Sequence, residues 1–562
     1  LFAAYYDRLM SKIRDFQDQL DSQSTINQLR REMSEQCDRF AEQPSGIYTL
    51  SIPTGGGKTL ASLRYGLKHA IQYRKKHIIF IVPYTTIIEQ NAEEVRKILQ
   101  DNANILEHHS NVIVDGDDED EQEDGRITVR QKLKLAKDNW DSPIIFTSMV
   151  QFLNVFYAKG SRNIRRLHNL CESVIVFDEV QKVPIPCVSL FNHALNFLKF
   201  YGSSSLILCT ATQPALDFVE HKLHLNTDAE IISNLGQIID AFKRVEIQDR
   251  ATDGTYDNDS LVDFVREKLN EVQSVLVILN TKSVVKKLYQ QLKQDDIPIH
   301  HLSTSMCAAH RQSVLTRVKE HLTNGEKVVC VSTQLIEAGV DVSFDCVIRS
   351  LAGLDSIAQA AGRCNRHGKK GIQQVYMIDH AEENLKHLKE IRIGKEVSRR
   401  ILIDLKHDPN QHGGNILSVQ AMDKYFKEFY KQFSSSLDYF VPKLEVNMIN
   451  LLMSGRKANT YNLAYINKHQ KTLELFILNS YRTAAENFQV IDSHAYSAIV
   501  PYNEKAIDII ARLSGDEKIE DLSRLLRETQ QFTVNLFRYE LDQLMKNDGL
   551  VSLLDGKMLV LK

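Results

Sequence analysis

Between residues 46 and 380, short apolar runs alternate with longer stretches whose apolar positions recur at helical spacing. Tyr48–Ile52, His77–Val82, Ile144–Thr147, Val174–Phe177 and Leu206–Cys209 predict strands. Strands covered on both faces are apolar throughout rather than alternating. Strands separated by helices in this way predict a parallel sheet with helices on both faces. The pattern breaks at the turn-rich stretch Asp249–Ser260, which reads as a linker. It then restarts with Val275–Leu279, Ile299–Leu302, Val328–Val331, Cys346–Arg349 and Val375–Ile378, a second sheet of the same kind. Beyond residue 381 the texture changes to long amphipathic stretches, Glu382–Ile403, Ser418–Phe433, Asn467–Gln489 and Glu517–Lys546, which read as helices. The fold class is therefore α/β. A polar helical segment (1–45) precedes two tandem parallel-sheet domains (46–248 and 249–380), and a helical region follows (381–562).

Composition narrows the class. A chain of 562 residues is too long for one core. Apolar content of 43% and charged content of 25% describe a globular protein. The net charge is −3, so a nucleic-acid partner needs a local basic track rather than a basic chain. Eight cysteines are scattered without a C-x-x-C pair, which points to a reducing cytoplasm and away from disulfides or structural zinc. No run has the length to span a membrane and no signal peptide is present, so no membrane partner is expected. Asp115–Gly125 is an acidic low-complexity stretch and reads as a mobile solvated insertion. The chain opens on Leu1 rather than Met, which fits the downstream part of a longer or processed polypeptide.

Candidate chemistry begins at Ser51-Ile-Pro-Thr-Gly-Gly-Gly-Lys-Thr-Leu60, between a strand and a helix expected from Leu60 to Ala70. Thr54, Gly55, Gly56 and Gly57 let backbone N–H groups turn onto nucleotide phosphates. Lys58, expected on a solvent-facing loop, neutralises β/γ-phosphate charge, and the Thr59 hydroxyl is a ligand for Mg²⁺. The helix N-terminus adds its positive dipole end. Ile52 replaces the first glycine of the usual pattern, a variant similar to that of helicases. At the end of Ser173–Phe177 stand Asp178 and Glu179. Asp178 is the second Mg²⁺ ligand, and Glu179 is placed to orient or deprotonate the attacking water.

Hydroxyl-rich strand ends follow on the carboxyl edge, where open α/β sheets bind ligands. Pro83 and Thr85, Thr147 and Ser148, and Thr210 and Thr212 can hold the phosphates of a single strand without reading bases. Each also reads as a helix N-cap. In the second domain, Glu337-Ala-Gly339-Val-Asp341 follows Ser332-Thr333. Asp341 can accept from ribose hydroxyls, and Thr333 can touch a nucleic-acid backbone. Gln359-Ala-Ala-Gly-Arg363-Cys-Asn-Arg366 places two arginines three apart on one helical face. They can reach a γ-phosphate as arginine fingers supplied in cis.

These motifs, in this order, resemble those of superfamily 2 helicases. The strings Ile105-Leu-Glu-His-His-Ser110, Ser148-Met-Val-Gln-Phe-Leu153 and Asp178-Glu-Val-Gln-Lys-Val-Pro-Ile185 narrow the likeness, as does Arg30 with Gly46-Ile-Tyr-Thr-Leu50. They resemble the CRISPR-associated type I helicases, the helicase–nuclease family recruited by the Cascade surveillance complex, and most of all its type I-C branch. The likeness covers residues 25–380 well and the C-terminal region (381–562) only in length and helical character. It implies two RecA-like domains, a linker helix and a C-terminal lid. It further implies ATP and Mg²⁺ as cofactors, 3′→5′ translocation on single-stranded DNA, and an HD nuclease that receives the strand. Carried over motif by motif, it adds Gln181 to the catalytic set, Gly339 and Gln359 to the nucleotide set, and Thr281 to the strand contacts. A monomer is expected.

One departure from the family stands out. Its HD nuclease normally precedes the helicase, yet residues 1–45 contain no histidine. His407-Asp408 lies in a polar turn and reads as solvated, and His108-His109 read as structural. The chain is therefore expected to carry the motor without nuclease activity, the HD domain being upstream or on a separate chain. A DEAD-box-like RNA helicase is the alternative, disfavoured by Asp178-Glu-Val-Gln and Thr210-Ala-Thr. A non-enzymatic scaffold ranks last, because Lys58, Asp178, Glu179 and both arginines are present.

Overall fold

The computed structural model describes residues 1–17, 25–109, 138–337, 339–368, 370–453, 455, 459–475, 478–490, 496–515, 522–553 and 558–562. The acidic stretch Asp115–Gly125 lies outside them.

Ile78–Val82 is apolar and buried at every position, as a central parallel strand must be. It pairs in parallel with Ile144–Ser148 on one side and Val174–Asp178 on the other. Six strands make this sheet: β1 (Ile47–Ser51), β2 (Ile78–Val82), β3 (Ile105–His108), β4 (Ile144–Ser148), β5 (Val174–Asp178) and β6 (Ser205–Thr210). Their order is β1-β6-β5-β2-β4-β3. The first five predicted runs are all present. Edge strand β3 was not expected, because Glu107 and His108 break its apolar pattern.

The second sheet has the order β7-β12-β11-β8-β10-β9 and is also wholly parallel. Its strands are β7 (Val245–Asp249), β8 (Ser274–Ile278), β9 (Ile299–Leu302), β10 (Val328–Ser332), β11 (Cys346–Ser350) and β12 (Gln373–Ile378). Edge strand β7 pairs with β12, so the chain enters the second sheet at Val245, before the expected 248/249 boundary. Its half-buried Val-Glu-Ile-Gln-Asp lacks the continuous apolar signal of the central strands.

At the N-terminus α1 (Phe2–Gln17) and α2 (Thr25–Phe40) pack on α3 (Lys58–Tyr73), the helix after the glycine loop. Arg64 of α3 pairs with Asp38 of α2 at 3.1 Å, and Tyr6 of α1 donates to the same carboxylate at 2.6 Å. The remaining helices used below are α4 (Thr85–Leu99), α5 (Met149–Tyr157), α6 (Val188–Phe200), α7 (Lys282–Leu292), α8 (Leu354–Ala361) and α9 (Lys389–His407). On β12's end, Asp379 anchors α9 through Lys395 and Arg399.

The C-terminal region is not purely helical. Tyr496–Ile499, Thr533–Leu536, Leu550–Leu553 and Met558–Leu561 form a four-stranded sheet. The expected helix Glu517–Lys546 contains, among described residues, the helices Leu522–Thr529 and Arg538–Lys546 with a strand between them. Asn467–Gln489 likewise holds the end of one helix (Thr460–His469) and a short one (Tyr481–Glu486). Short apolar runs satisfy both periodicities, and tertiary pairing decides between them. The region also divides between two compact units. The first unit holds Leu1–His109, the segment ending at Ala241 and the segment from Phe426 to residue 490. There Ser189 at the start of α6 donates to the Leu437 carbonyl, and the Tyr157 and Phe488 rings lie 5.4 Å apart. The second unit holds Phe242–Tyr425 together with the C-terminal four-stranded sheet.

Candidate nucleotide and nucleic-acid site

The glycine loop takes its shape from its residues. Gly55 and Gly57 have φ of 78° and 85°, in the left-handed region that glycine enters without steric cost. At Gly56 an added Cβ would lie 2.6 Å from the Ile52 side chain and 2.9 Å from the Pro53 carbonyl. From α2, the Arg30 guanidinium donates to the Gly55 carbonyl at 2.9 Å and so braces the loop from outside. Behind it, Glu230 accepts from the Ser51 amide and hydroxyl and from the Thr49 hydroxyl, which fixes the end of β1. Neither brace was legible as such in the sequence, because each depends on a distant segment folding back.

Lys58 opens α3 and is not a free loop lysine as expected. Its side chain is only 18% exposed, and its ammonium lies 2.5 Å from Glu179 Oε1 and 3.7 Å from Asp178 Oδ1. Glu179 follows β5 in the left-handed region at φ 48°, which turns its carboxylate toward the loop. Gln181 donates to the second Glu179 oxygen at 2.5 Å, and the Thr210 hydroxyl at the end of β6 donates to Gln181 Oε1 at 2.7 Å. Lys58, Glu179, Gln181 and Thr210 thus form one hydrogen-bonded chain from the start of α3 to the ends of β5 and β6.

Charge is distributed unequally along it. Burial would raise Glu179, but the adjacent Lys58 ammonium and the bond from Gln181 outweigh it and hold the carboxyl at about 2. Asp178 lies farther from the ammonium, and burial pushes it up to about 6. Lys58 loses hydration on burial yet is driven above the ordinary lysine range by the two carboxylates. Of two carboxyls beside one ammonium, the nearer takes the charge. Asp178 and the Thr59 hydroxyl are hard oxygen donors, a set that fits Mg²⁺ rather than a softer metal. Among the described residues no group of three or more His, Cys, Asp or Glu converges to hold a metal. His407 and Asp408 are exposed.

The hydroxyls proposed for a single strand take varied positions. Thr210 is fully buried and committed to Gln181. Thr147 is also fully buried and donates to the His108 carbonyl at 2.8 Å, which ties β4 to β3. Ser148 caps α5 by accepting from the Gln151 amide, so here the N-cap reading describes the geometry. Thr85 begins α4 directly after Pro83 and Tyr84. Thr212 and Thr333 are each nine-tenths buried, with hydroxyls lacking a hydrogen-bond partner. Thr281 sits at the start of α7 and is half-buried.

In the second unit the two motif arginines differ. Arg363 is buried and donates to the backbone carbonyls of Ile336 (2.9 Å) and Glu337. Arg366 is half-buried and pairs with Asp341 at 2.7 Å. Asp341, expected to accept from a ribose, is therefore also a partner for an arginine. Gly339 has φ 75°, and Gln359 lies half-buried on α8.

The family described as CRISPR-associated nuclease/helicase Cas3, C-terminal, matches residues 271–369, and that described as type III restriction enzyme, res subunit, matches residues 12–213. A CRISPR-associated nuclease/helicase Cas3 of Haloferax volcanii is 24% identical over 453 residues, covering 61% of this chain and 47% of that protein. The chain thus spans about half the length of the curated relatives it matches. The crystal structure of T. fusca Cas3 with ATP superposes with a TM-score of 0.65 at 13% identity, covering 97% of this chain and 68% of the other. A chain of a CRISPR RNA-guided surveillance complex in a pre-nicking state gives a TM-score of 0.54 at 12% identity, covering 90% and 62%. Among the described residues, no helix is long and apolar enough to cross a membrane.

Proposed function

We propose, from the premise that this chain is a Cas3-type superfamily 2 helicase, that it is an ATP-driven motor moving 3′→5′ on single-stranded DNA. It acts at the R-loop opened by a crRNA-guided surveillance complex and passes the strand to an HD nuclease. It works as a cytoplasmic monomer, and the motor residues themselves do not cut.

The observation that carries this reading is the chain Lys58–Glu179–Gln181–Thr210. It joins the phosphate loop, the carboxylate that handles water and the strand-end threonine that neighbours Thr212. The glycine loop and the α3 N-terminus bind the phosphates, and Lys58 neutralises them. Glu179, held ionised, orients the attacking water and takes its proton at a carboxylate oxygen. Gln181 reports the position of Glu179 to Thr210, so a change at the nucleotide moves the strand end. Thr59 and Asp178 would hold Mg²⁺, which supplies charge neutralisation on the phosphate oxygens when bound. Arg366 supplies the arginine finger, with Arg363 behind it. Pro83, Thr85, Thr212, Thr281 and Thr333 contact the strand.

The deciding experiment compares ATP turnover of the chain alone, with single-stranded DNA, with single-stranded RNA, and with an R-loop held by the surveillance complex. Stimulation by DNA and by the R-loop is expected. Stimulation by RNA and not by DNA overturns the DNA motor in favour of an RNA helicase.

A further inference from the structure

Glu337 and Arg349 form a buried ion pair that the chemistry above leaves unused. Their side chains are 3% and 0% exposed, and Nε lies 2.8 Å from Oε1. Arg349 also donates to Asn280 Oδ1 (2.8 Å), the Ser350 carbonyl (2.7 Å) and Ser356 Oγ (2.9 Å). The Ser356 hydroxyl donates in turn to Glu337 Oε2 at 2.6 Å, closing a ring of three side chains. Asn280 donates to Glu383 at 2.7 Å and to the Leu351 carbonyl at 3.1 Å, and accepts from Gln334 at 3.2 Å.

Four stretches of chain meet here. Asn280 immediately precedes Thr281 at the start of α7. Gln334 and Glu337 belong to the turn that follows Thr333. Arg349 and Ser350 end β11, and Ser356 lies on α8, which leads to Arg363 and Arg366. Arg363 returns to the same turn through its bonds to the Ile336 and Glu337 carbonyls. One set of buried polar contacts therefore touches every segment of this unit assigned to strand or nucleotide.

Stability alone is a poor account of the pair. Desolvating two charges is expensive, and a well-packed apolar pair of similar volume often serves a core equally well. The hydrogen bonds around the pair do something an apolar contact does not: being directional, they fix one register between the elements they join.

We propose that Glu337 and Arg349 are positioning residues that hold Thr281, Thr333 and the Arg366–Asp341 pair in one register. A strand bound at the threonines then alters the arginine that the nucleotide needs. This inference rests on the motor reading. It predicts that breaking the network uncouples nucleic acid from ATP turnover without removing turnover itself.

The test uses the full chain and oligo-deoxythymidine. One variant, Arg349→Met with Glu337→Leu, replaces the pair with apolar side chains. A second, Ser356→Ala, removes only the bridging hydroxyl. Melting temperature, ATP affinity, unstimulated turnover and DNA-stimulated turnover are measured for each. The double variant is expected to keep ATP affinity and unstimulated turnover while its stimulation by DNA falls about tenfold, with a smaller fall in Ser356→Ala. A merely structural pair lowers the melting temperature and leaves the stimulation ratio unchanged, which overturns the proposal. If the double variant does not fold, Ser356→Ala decides alone, and wild-type stimulation there overturns it. A wild-type chain that DNA does not stimulate overturns the motor reading instead.

Discussion

Lys58 Nζ lies 2.5 Å from Glu179 Oε1, so the ammonium proposed to serve the phosphates is also the counter-charge of the carboxylate proposed to handle water. On the proposed reading, a triphosphate entering the loop would compete with Glu179 for it. Removing the Glu179 charge should release the lysine to the phosphates. Glu179→Gln is therefore expected to bind ATP at least as tightly as wild type while turnover falls by about two orders of magnitude. Equilibrium binding of a fluorescent ATP analogue and phosphate release measure the two effects separately. Weaker binding together with unchanged turnover contradicts the assignment.

Lys58→Ala removes the ammonium that faces both Asp178 and Glu179. The carboxyls are partly exposed and can share a proton, so the fold should persist. ATP hydrolysis should drop by roughly 10²- to 10³-fold through lost phosphate neutralisation. Thermal melting and DNA-stimulated turnover check the two halves. Turnover close to wild type rules out the phosphate-loop role.

The two motif arginines should separate by stability. Arg363 is buried on two backbone carbonyls, and its loss should cost about 1.5–3 kcal/mol per charged hydrogen bond, along with turnover. Arg366 meets Asp341 near the surface, so Arg366→Ala should leave the melting temperature nearly unchanged and lower kcat by about 10³-fold. Equal destabilisation by both substitutions contradicts this division.

His69 sets an acid limit on stability. It is fully buried in α3, donates through Nδ1 to the Ala41 carbonyl at 2.9 Å, and burial lowers its pKa to about 4. The native state thus binds fewer protons than the unfolded state between about pH 6.5 and 4. Stability should be fully present above pH 6.5 and should fall as pH drops toward 4. Urea midpoints measured across that window, for wild type and His69→Gln, should show a smaller acid loss in the variant. An identical pH slope in both assigns the loss to other groups.

Given ATP and Mg²⁺, the chain should displace a paired strand without nicking either one, and added transition metal should not change this. Gel analysis of end-labelled forked DNA tests it. Degradation that needs metal and disappears in His407→Ala or Asp408→Ala would show that the exposed turn is an active site.

The sequence alone determined the strand–loop–helix around Lys58, the Asp178-Glu179 strand end and the central strands of both sheets. Local signals suffice for these. A buried parallel strand must be apolar at every position, and a phosphate loop must place glycines where side chains would collide. Tertiary structure decided everything that depends on a distant partner. The edge strands β3 and β7 are half polar, so only their neighbours in the sheet define them. The C-terminal segment Thr533–Leu536 fits either periodicity until it pairs with Tyr496–Ile499. Arg363 and Arg366 look alike in sequence, three residues apart, yet one is buried on a neighbouring turn and the other pairs with Asp341. Thr147 and Thr210 look like ligand contacts until folding points their hydroxyls at protein partners. Hydrogen bonds are directional and short, so a side chain's role is set by what the fold brings within about 3 Å of it, which spacing along the chain does not encode.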